Sequence, residues 1–259
     1  DHFRQARQEA IEQYRSAPFR QPALAGPSYP ADPAELQGLL QGYLDQVNGV
    51  AAAPNSSRGI ISPHIDYMRG GPTYARVWAS SAEAVRQAEL VIIFGTDHNG
   101  GLGTITLTHQ NYASPLGVAP TDTKLVDRLA EAIGAEAAFA EELHHRGEHS
   151  IELALVWLQY IRGDNPCPVV PVLAGSFHNF MVGQADIEQE ARYRTFVEVL
   201  RQEMKRRRTV VVAAGDLAHL GPVFDTPAID GVAYAQMKTD DELLMETLCR
   251  GDAQQFFAL

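Results

Sequence analysis

Short apolar runs and amphipathic stretches alternate along the chain. The apolar runs, rich in Val and Ile, occupy residues 58–63, 89–95, 103–107, 168–173 and 209–214. Patterns with a helical period separate most of them, near residues 72–85, 121–133, 148–162 and 186–206. Continuous apolar strands that alternate with amphipathic helices predict an α/β fold, with a largely parallel central sheet and helices on both faces.

The N-terminal region carries two further helical patterns. Apolar side chains recur at helical spacing within residues 2–15, and a proline-containing connector follows. Asp32 is placed to cap a second helix, because Pro33 suits the first helical position and Glu35 completes a capping box. We therefore expect a single α/β domain over residues 1–259, with residues 1–24 as a helical extension.

Composition and charge narrow the classes of function. The formal net charge of −11 argues against a nucleic-acid surface, because such surfaces cluster Lys and Arg against phosphate. A run of about 18 apolar residues is absent from the sequence, so we expect no membrane span. Cys167 and Cys249 are the only cysteines, which disfavours a disulfide framework and predicts a cytoplasmic protein.

Residues with metal-binding chemistry follow three of the predicted strands. "SPHIDY" contributes His64, "GTDHNG" contributes Asp97 and His98, and "GDLAHLG" contributes Asp216 and His219. Ligands of open α/β sheets bind outside the carboxyl ends of the strands, so we expect these side chains to share one cleft. Neutral imidazole is the commonest protein metal ligand, which makes His64 and His98 predicted ligands of a divalent ion. A purely structural hydrogen-bonded pair is the alternative for His64 and its nearby carboxylate.

The segment "EHSIELALVWLQY" places polar residues at the start of a predicted helix. A carboxylate at a helix start is favourable with the helix dipole, so Glu148 also has a purely structural interpretation. His149 at that position is expected to have a lowered pKa and to stay neutral. A neutral ring there is suited to metal ligation, substrate binding or proton transfer.

Other candidate sites have weaker support. "GTDHNGGLG" is not a dinucleotide fingerprint, because its glycines do not open a helix, and no Gly-x-Ser-x-Gly elbow occurs in the sequence. Cys167 precedes a buried strand and is expected in the core. Tyr112 is either a pocket wall or a core residue. His144 and His145 lie in a polar, aperiodic stretch that predicts an exposed loop.

An ordered set of segments resembles the Memo family, also called the AmmeMemoRadiSam system protein B family, from about Ala25 onward. The segments are "AGPSYPADPAELQGLLQGYL", "ISPHIDYMRGGPTYA", "IFGTDHNG", "YASPLGVAPTD", "EHSIELALVWLQY", "PVLAG" and "GDLAHLGPVF". This resemblance implies a fold similar to the catalytic subunit of class III extradiol ring-cleaving dioxygenases, which use non-haem iron.

The resemblance also implies metal binding by His64 and His98, together with a cysteine of a C-terminal Cys-Gly motif. That cysteine has no match here, because Cys249 lies ahead of the expected motif, and we expect the sequence to be incomplete at its C-terminus. Asp66 either supplies an oxygen ligand or orients His64. His149 and His219 match other polar positions of the family pocket, which implies catalytic acid/base or substrate-orienting roles.

The leading hypothesis is a metal-binding oxidoreductase of the non-haem-iron type that acts on a small molecule. The expected cofactor is a divalent metal, with iron ahead of zinc or copper. Alternatives are a non-catalytic adaptor that binds a peptide or small ligand, and a zinc-dependent hydrolase. The predicted substrate-binding residues are Asp66, Tyr67, Asp97, Tyr112, Glu148 and Asp216.

Overall fold

The computed structural model describes residues 2–47 and 49–259. The strands are β1 (Gly59–Ser62), β2 (Leu90–Thr96), β3 (Ile105–Leu107), β4 (Tyr112–Ser114), β5 (Gly117–Ala119), β6 (Val169–Ala174) and β7 (Thr209–Ala214). The helices are α1 (His2–Ser16), α2 (Pro33–Asp45), α3 (Tyr67–Ser80), α4 (Ala82–Arg86), α5 (Thr123–Ile133), α6 (Ala135–Phe139), α7 (His144–Gly147), α8 (Ser150–Arg162), α9 (His178–Met181), α10 (Ala191–Arg206), α11 (Gly231–Arg250) and α12 (Ala253–Ala258).

The central sheet has the strand order β1-β7-β2-β6-β3. Strands β1, β7, β2 and β6 run parallel, and β3 pairs antiparallel with β6 at one edge. Strands β4 and β5 form a separate antiparallel hairpin. The predicted α/β fold with a largely parallel sheet is therefore confirmed.

Side chains along the central strands alternate between two hydrophobic layers. On β2, Val91 and Ile93 pack into a layer with α2, α3 and α8, whereas Leu90 and Ile92 pack against α5 and α10. A strand places successive side chains on opposite faces, so a continuous apolar run supplies both layers. Helices consequently cover both faces of the sheet, as the sequence predicts.

Two predicted helices begin at other residues than expected. The pattern near 72–85 corresponds to α3 and α4, and α3 starts at Tyr67 because the Asp66 side chain accepts a hydrogen bond from the Arg69 amide and caps it. Helix α8 starts at Ser150 rather than at residue 148, which leaves Glu148 outside the helix with an extended backbone.

Helix α8 is buried on nearly all of its surface, which is typical of a helix enclosed in a core. Cys167, which follows this helix, is buried as predicted, and burial raises the pKa of its thiol. Within residues 2–47 and 49–259, every helix is too short or too polar to cross a membrane. The assignment of residues 1–259 to one domain stays a prediction.

Candidate metal centre

Three neighbouring strands, β1, β7 and β2, end at the same edge of the sheet. His64 follows β1, His98 follows β2, and His149 occupies the N-cap position of α8. The ring centroid of His64 lies 5.2 Å from that of His98 and 5.5 Å from that of His149. The centroids of His98 and His149 are 4.6 Å apart. One potential ligand atom from each of the three residues lies within 4.8 Å of the other two.

Each of the three rings has its Nδ1 atom beside an oxygen acceptor. The Nδ1 of His64 lies 3.0 Å from the Ala214 carbonyl oxygen. The Nδ1 atoms of His98 and His149 lie 3.0 and 3.1 Å from different oxygens of the Glu148 carboxylate. Oxygen acceptors at Nδ1 favour the tautomer with the proton on that atom, which leaves the Nε2 lone pair of each ring for a cation.

Glu148 is the anion that holds two of these rings. Its side chain is buried, and it also accepts hydrogen bonds from the backbone amides of His98, His149 and Ser150. Burial opposes its ionisation, but the hydrogen bonds from the two histidines and from Ser150 prevail and hold the pKa of the carboxyl below its ordinary value. Glu148 is therefore a carboxylate at neutral pH.

Burial and hydrogen bonding shift the pKa values of His64 and His149 in opposite directions. Burial lowers the pKa of His64, and the Ala214 carbonyl offsets this only in part. The hydrogen bond to Glu148 raises the pKa of His149. The expectation that the helix N-terminus lowers the pKa of His149 is therefore wrong, because an adjacent carboxylate outweighs a partial dipole charge.

A cleft of about 270 Å³ contains the three histidines. Asp216 lies between two of the cleft imidazoles: its Oδ2 is 3.7 Å from Nε2 of both His64 and His219, and its Oδ1 accepts a 2.9 Å hydrogen bond from the His64 amide. Asp66 lines the cleft while it caps α3 and pairs with Arg69. The complete lining is Leu24, Ser28, His64, Ile65, Asp66, Arg69, His98, His149, Leu153, Asp216, His219 and Phe224.

A family model described as "Memo-like protein" matches residues 20–259. The chain belongs to the Memo family. It is 28% identical over 234 residues to a MEMO1 family protein of Archaeoglobus fulgidus, an alignment that covers 90% of this chain and 80% of that protein. It is 31% identical over 215 residues to a MEMO1 family protein of Methanopyrus kandleri, with 78% and 70% of the two chains covered.

Two tyrosines predicted to bind substrate lie outside the cleft of this Memo-family chain. Tyr67 is 1% exposed, and its hydroxyl donates a 2.7 Å hydrogen bond to the Leu153 carbonyl. Tyr112 is fully buried, with its hydroxyl 2.5 Å from His145 Nδ1. Both side chains therefore belong to the hydrophobic core.

Asp97 likewise lies outside the residues that line the cleft. Its buried carboxylate accepts a 2.9 Å hydrogen bond from Nδ1 of His144 and one from the Asn99 amide, so it contacts α7 rather than the cleft.

The prediction that His144 and His145 lie in an exposed loop is wrong, because both belong to helix α7. His145 is fully buried, its Nε2 lies 3.1 Å from the Thr106 carbonyl, and burial lowers its pKa to about 3.

Arg20 and Glu152 are two buried charged residues next to Glu148 that the sequence patterns do not predict as part of a site. Their side chains form an ion pair with no solvent exposure. Arg20 lies in the proline-containing connector, where a single arginine gives no local signal of burial. Glu152 occupies the first turn of α8, where a carboxylate is ordinarily explained by the helix dipole.

Proposed function

We propose that this Memo-family protein is a metal-dependent oxidoreductase of the non-haem-iron type that acts on a small molecule in its histidine-lined cleft. The observation that carries the proposal is the set of three clustered imidazoles, each with Nδ1 beside an oxygen acceptor. Such partners orient a ring and increase its basicity as a ligand. The Nε2 atom of His64 lies 3.7 Å from Oδ2 of Asp216, which is beyond hydrogen-bonding distance, so its lone pair is also available to a cation.

The donor set fits a divalent transition metal. Imidazole nitrogens suit iron, zinc and copper, whereas magnesium and calcium prefer oxygen ligands. His64 and His98 would hold the ion, with His149 as a third nitrogen donor or as a proton carrier. Bound iron would supply redox chemistry with dioxygen, whereas bound zinc would supply an activated water.

The other cleft residues would bind and orient the substrate. Asp66 and Arg69 stand together at the cleft and offer one acceptor and one donor group to a polar substituent. His219 lines the cleft with its Nε2 3.7 Å from Asp216, and it would serve as the acid/base or substrate-orienting group. The volume of about 270 Å³ suits a small ligand.

Metal stoichiometry tests the proposal. The protein should retain about one equivalent of iron per chain after anaerobic loading and gel filtration, and it should retain no magnesium in the matched control. Oxygen uptake on addition of candidate small molecules would support the oxidoreductase. Zinc retention with ester or amide turnover and no oxygen uptake would favour the hydrolase, and failure to retain any transition metal would favour the adaptor.

Glu148→Gln should weaken metal binding about 10-fold to 100-fold, the usual effect of removing a carboxylate that orients ligating histidines. The Gln side chain has only one acceptor oxygen, so it cannot accept hydrogen bonds from both rings and from three backbone amides. Competition with a chelator measures the Kd. Glu142→Gln is the matched control, because Glu142 is equally buried but bonds to Arg15 and Thr108. A similar loss in both variants would contradict the role of Glu148.

A further inference from the structure

The buried pair of Arg20 and Glu152 has no part in the chemistry above. Transfer of each charge out of water costs several kcal/mol, and apolar residues of similar volume often replace such pairs without loss of stability. The hydrogen bonds made by this pair instead connect separate backbone segments around the start of α8.

The three donor groups of Arg20 reach three points around the start of α8. Its Nε donates to the His145 carbonyl at 2.8 Å, and its Nη2 donates to the Glu148 carbonyl at 2.8 Å. Its Nη1 bonds to the Glu152 carboxylate. The guanidinium is planar and rigid, so these bonds fix α7 and the following Glu148 relative to the first turn of α8.

Glu152 completes the connection to the N-terminal connector. Its carboxylate accepts hydrogen bonds from the amides of Ala23 and Leu24, at 2.8 and 2.9 Å, and from the Tyr29 hydroxyl. Leu24 is itself part of the cleft lining. The pair therefore ties one wall of the cleft to the helix that carries His149.

Glu148 links this buried pair to the histidines. Its backbone carbonyl is held by Arg20, and its carboxylate holds Nδ1 of His98 and of His149. We propose that Arg20 is a positioning residue of the metal centre, which fixes the Glu148 backbone and thereby orients the two rings. The expected effect on metal affinity rests on the proposed function. The orientation of the two rings does not, because it can be measured in the metal-free protein.

A single and a double substitution distinguish the effect of Arg20 on metal binding from its effect on stability. Arg20→Met leaves Glu152 buried and unpaired and should lower the unfolding midpoint, whereas Arg20→Met with Glu152→Leu should recover most of it. The double variant should still bind Zn²⁺ about tenfold more weakly than the wild type and show an altered visible spectrum with Co²⁺. Recovery of the wild-type Kd and spectrum along with the midpoint would overturn the proposal.

Arg162→Met is the matched control. Arg162 also donates to backbone carbonyls, those of Ala88 and Asn165, but it lies at the opposite end of α8. Its substitution should lower stability and leave the Kd for Zn²⁺ unchanged. An equal loss of affinity in this control would overturn a specific role for Arg20.

Arg20→Lys keeps the charge beside Glu152 and covers the case in which the double variant does not fold. An ammonium group cannot reproduce the planar fork, so we expect a folded protein with weakened Zn²⁺ binding. A wild-type Kd in this variant would overturn the proposal.

Nitrogen NMR of the metal-free imidazoles gives a readout that does not depend on the proposed function. At a pH at which the rings are neutral, His98 and His149 of the wild type should hold the proton on Nδ1, and Arg20→Lys should show mixed tautomers. A single tautomer retained in Arg20→Lys would overturn the positioning role. Failure of the wild type to bind metal would overturn the proposed function alone.

Discussion

Replacement of both His64 and His98 by alanine should abolish stoichiometric metal binding by this Memo-family chain. The substitutions remove two of the three clustered imidazoles and leave His149 alone beside Glu148. Protein zinc sites with four ligands bind with about 10 to 16 kcal/mol, so each ligand contributes about 3 kcal/mol. Loss of two should weaken binding by at least about a thousandfold.

Metal analysis after gel filtration and chelator competition would measure this loss, and circular dichroism would confirm that the variant is folded. The matched control is the double variant His109→Ala, His178→Ala. Both of these histidines are exposed and neither lines the cleft, so this variant should retain about one equivalent. Retention of a full equivalent by the variant that lacks His64 and His98 would place the metal elsewhere and refute the proposed centre.

The sheet and the shared position of His64 and His98 could be predicted because both depend on local patterns and on one topological rule. Continuous apolar runs identify buried parallel strands, and the carboxyl ends of such strands converge. The hydrophobic pattern does not predict the order of the strands in the sheet. That β1, β7 and β2 are neighbours depends on long-range pairing, and this adjacency brings the three loops together.

The supporting residues could not be predicted in the same way. Arg20 and the carbonyl of His145 that accepts its hydrogen bond are 125 positions apart, and neither segment has an apolar period. A polar, aperiodic stretch ordinarily predicts exposure, yet His145 is buried because Thr106 and Tyr112 satisfy both ring nitrogens. Burial of a polar side chain depends on partners that a local pattern cannot reveal.

The misassigned pKa shift of His149 has a related cause. His149 lies at the N-cap of α8, but the effect of the helix dipole on its pKa is small beside that of a carboxylate 3.1 Å from the ring. Glu148 precedes His149 in sequence, and the direction of its side chain is set by the amides of His98 and Ser150. Side-chain direction of this kind follows from the folded loop and not from the order of residues.

Trp157→Ala should lower the free energy of unfolding by about 3 to 5 kcal/mol, the usual cost of truncating a large aromatic residue in a core. Trp157 is fully buried at the middle of α8. Its ring stacks on Tyr74 with centroids 6.1 Å apart and meets the edges of Tyr67 and Tyr160. Removal leaves a cavity that a close-packed core fills only in part.

Urea unfolding measures this change, and Phe3→Ala is the control, because Phe3 is 82% exposed and its truncation should alter stability by less than about 0.5 kcal/mol. A loss below about 1 kcal/mol in Trp157→Ala would contradict the packing described for α8. Metal at a hundredfold excess over Kd should then stabilise both the wild type and Trp157→Ala by about 2.7 kcal/mol. Equal increments would mean that Trp157 contributes packing alone, whereas a smaller increment in the variant would show that packing of α8 also sets the geometry of His149.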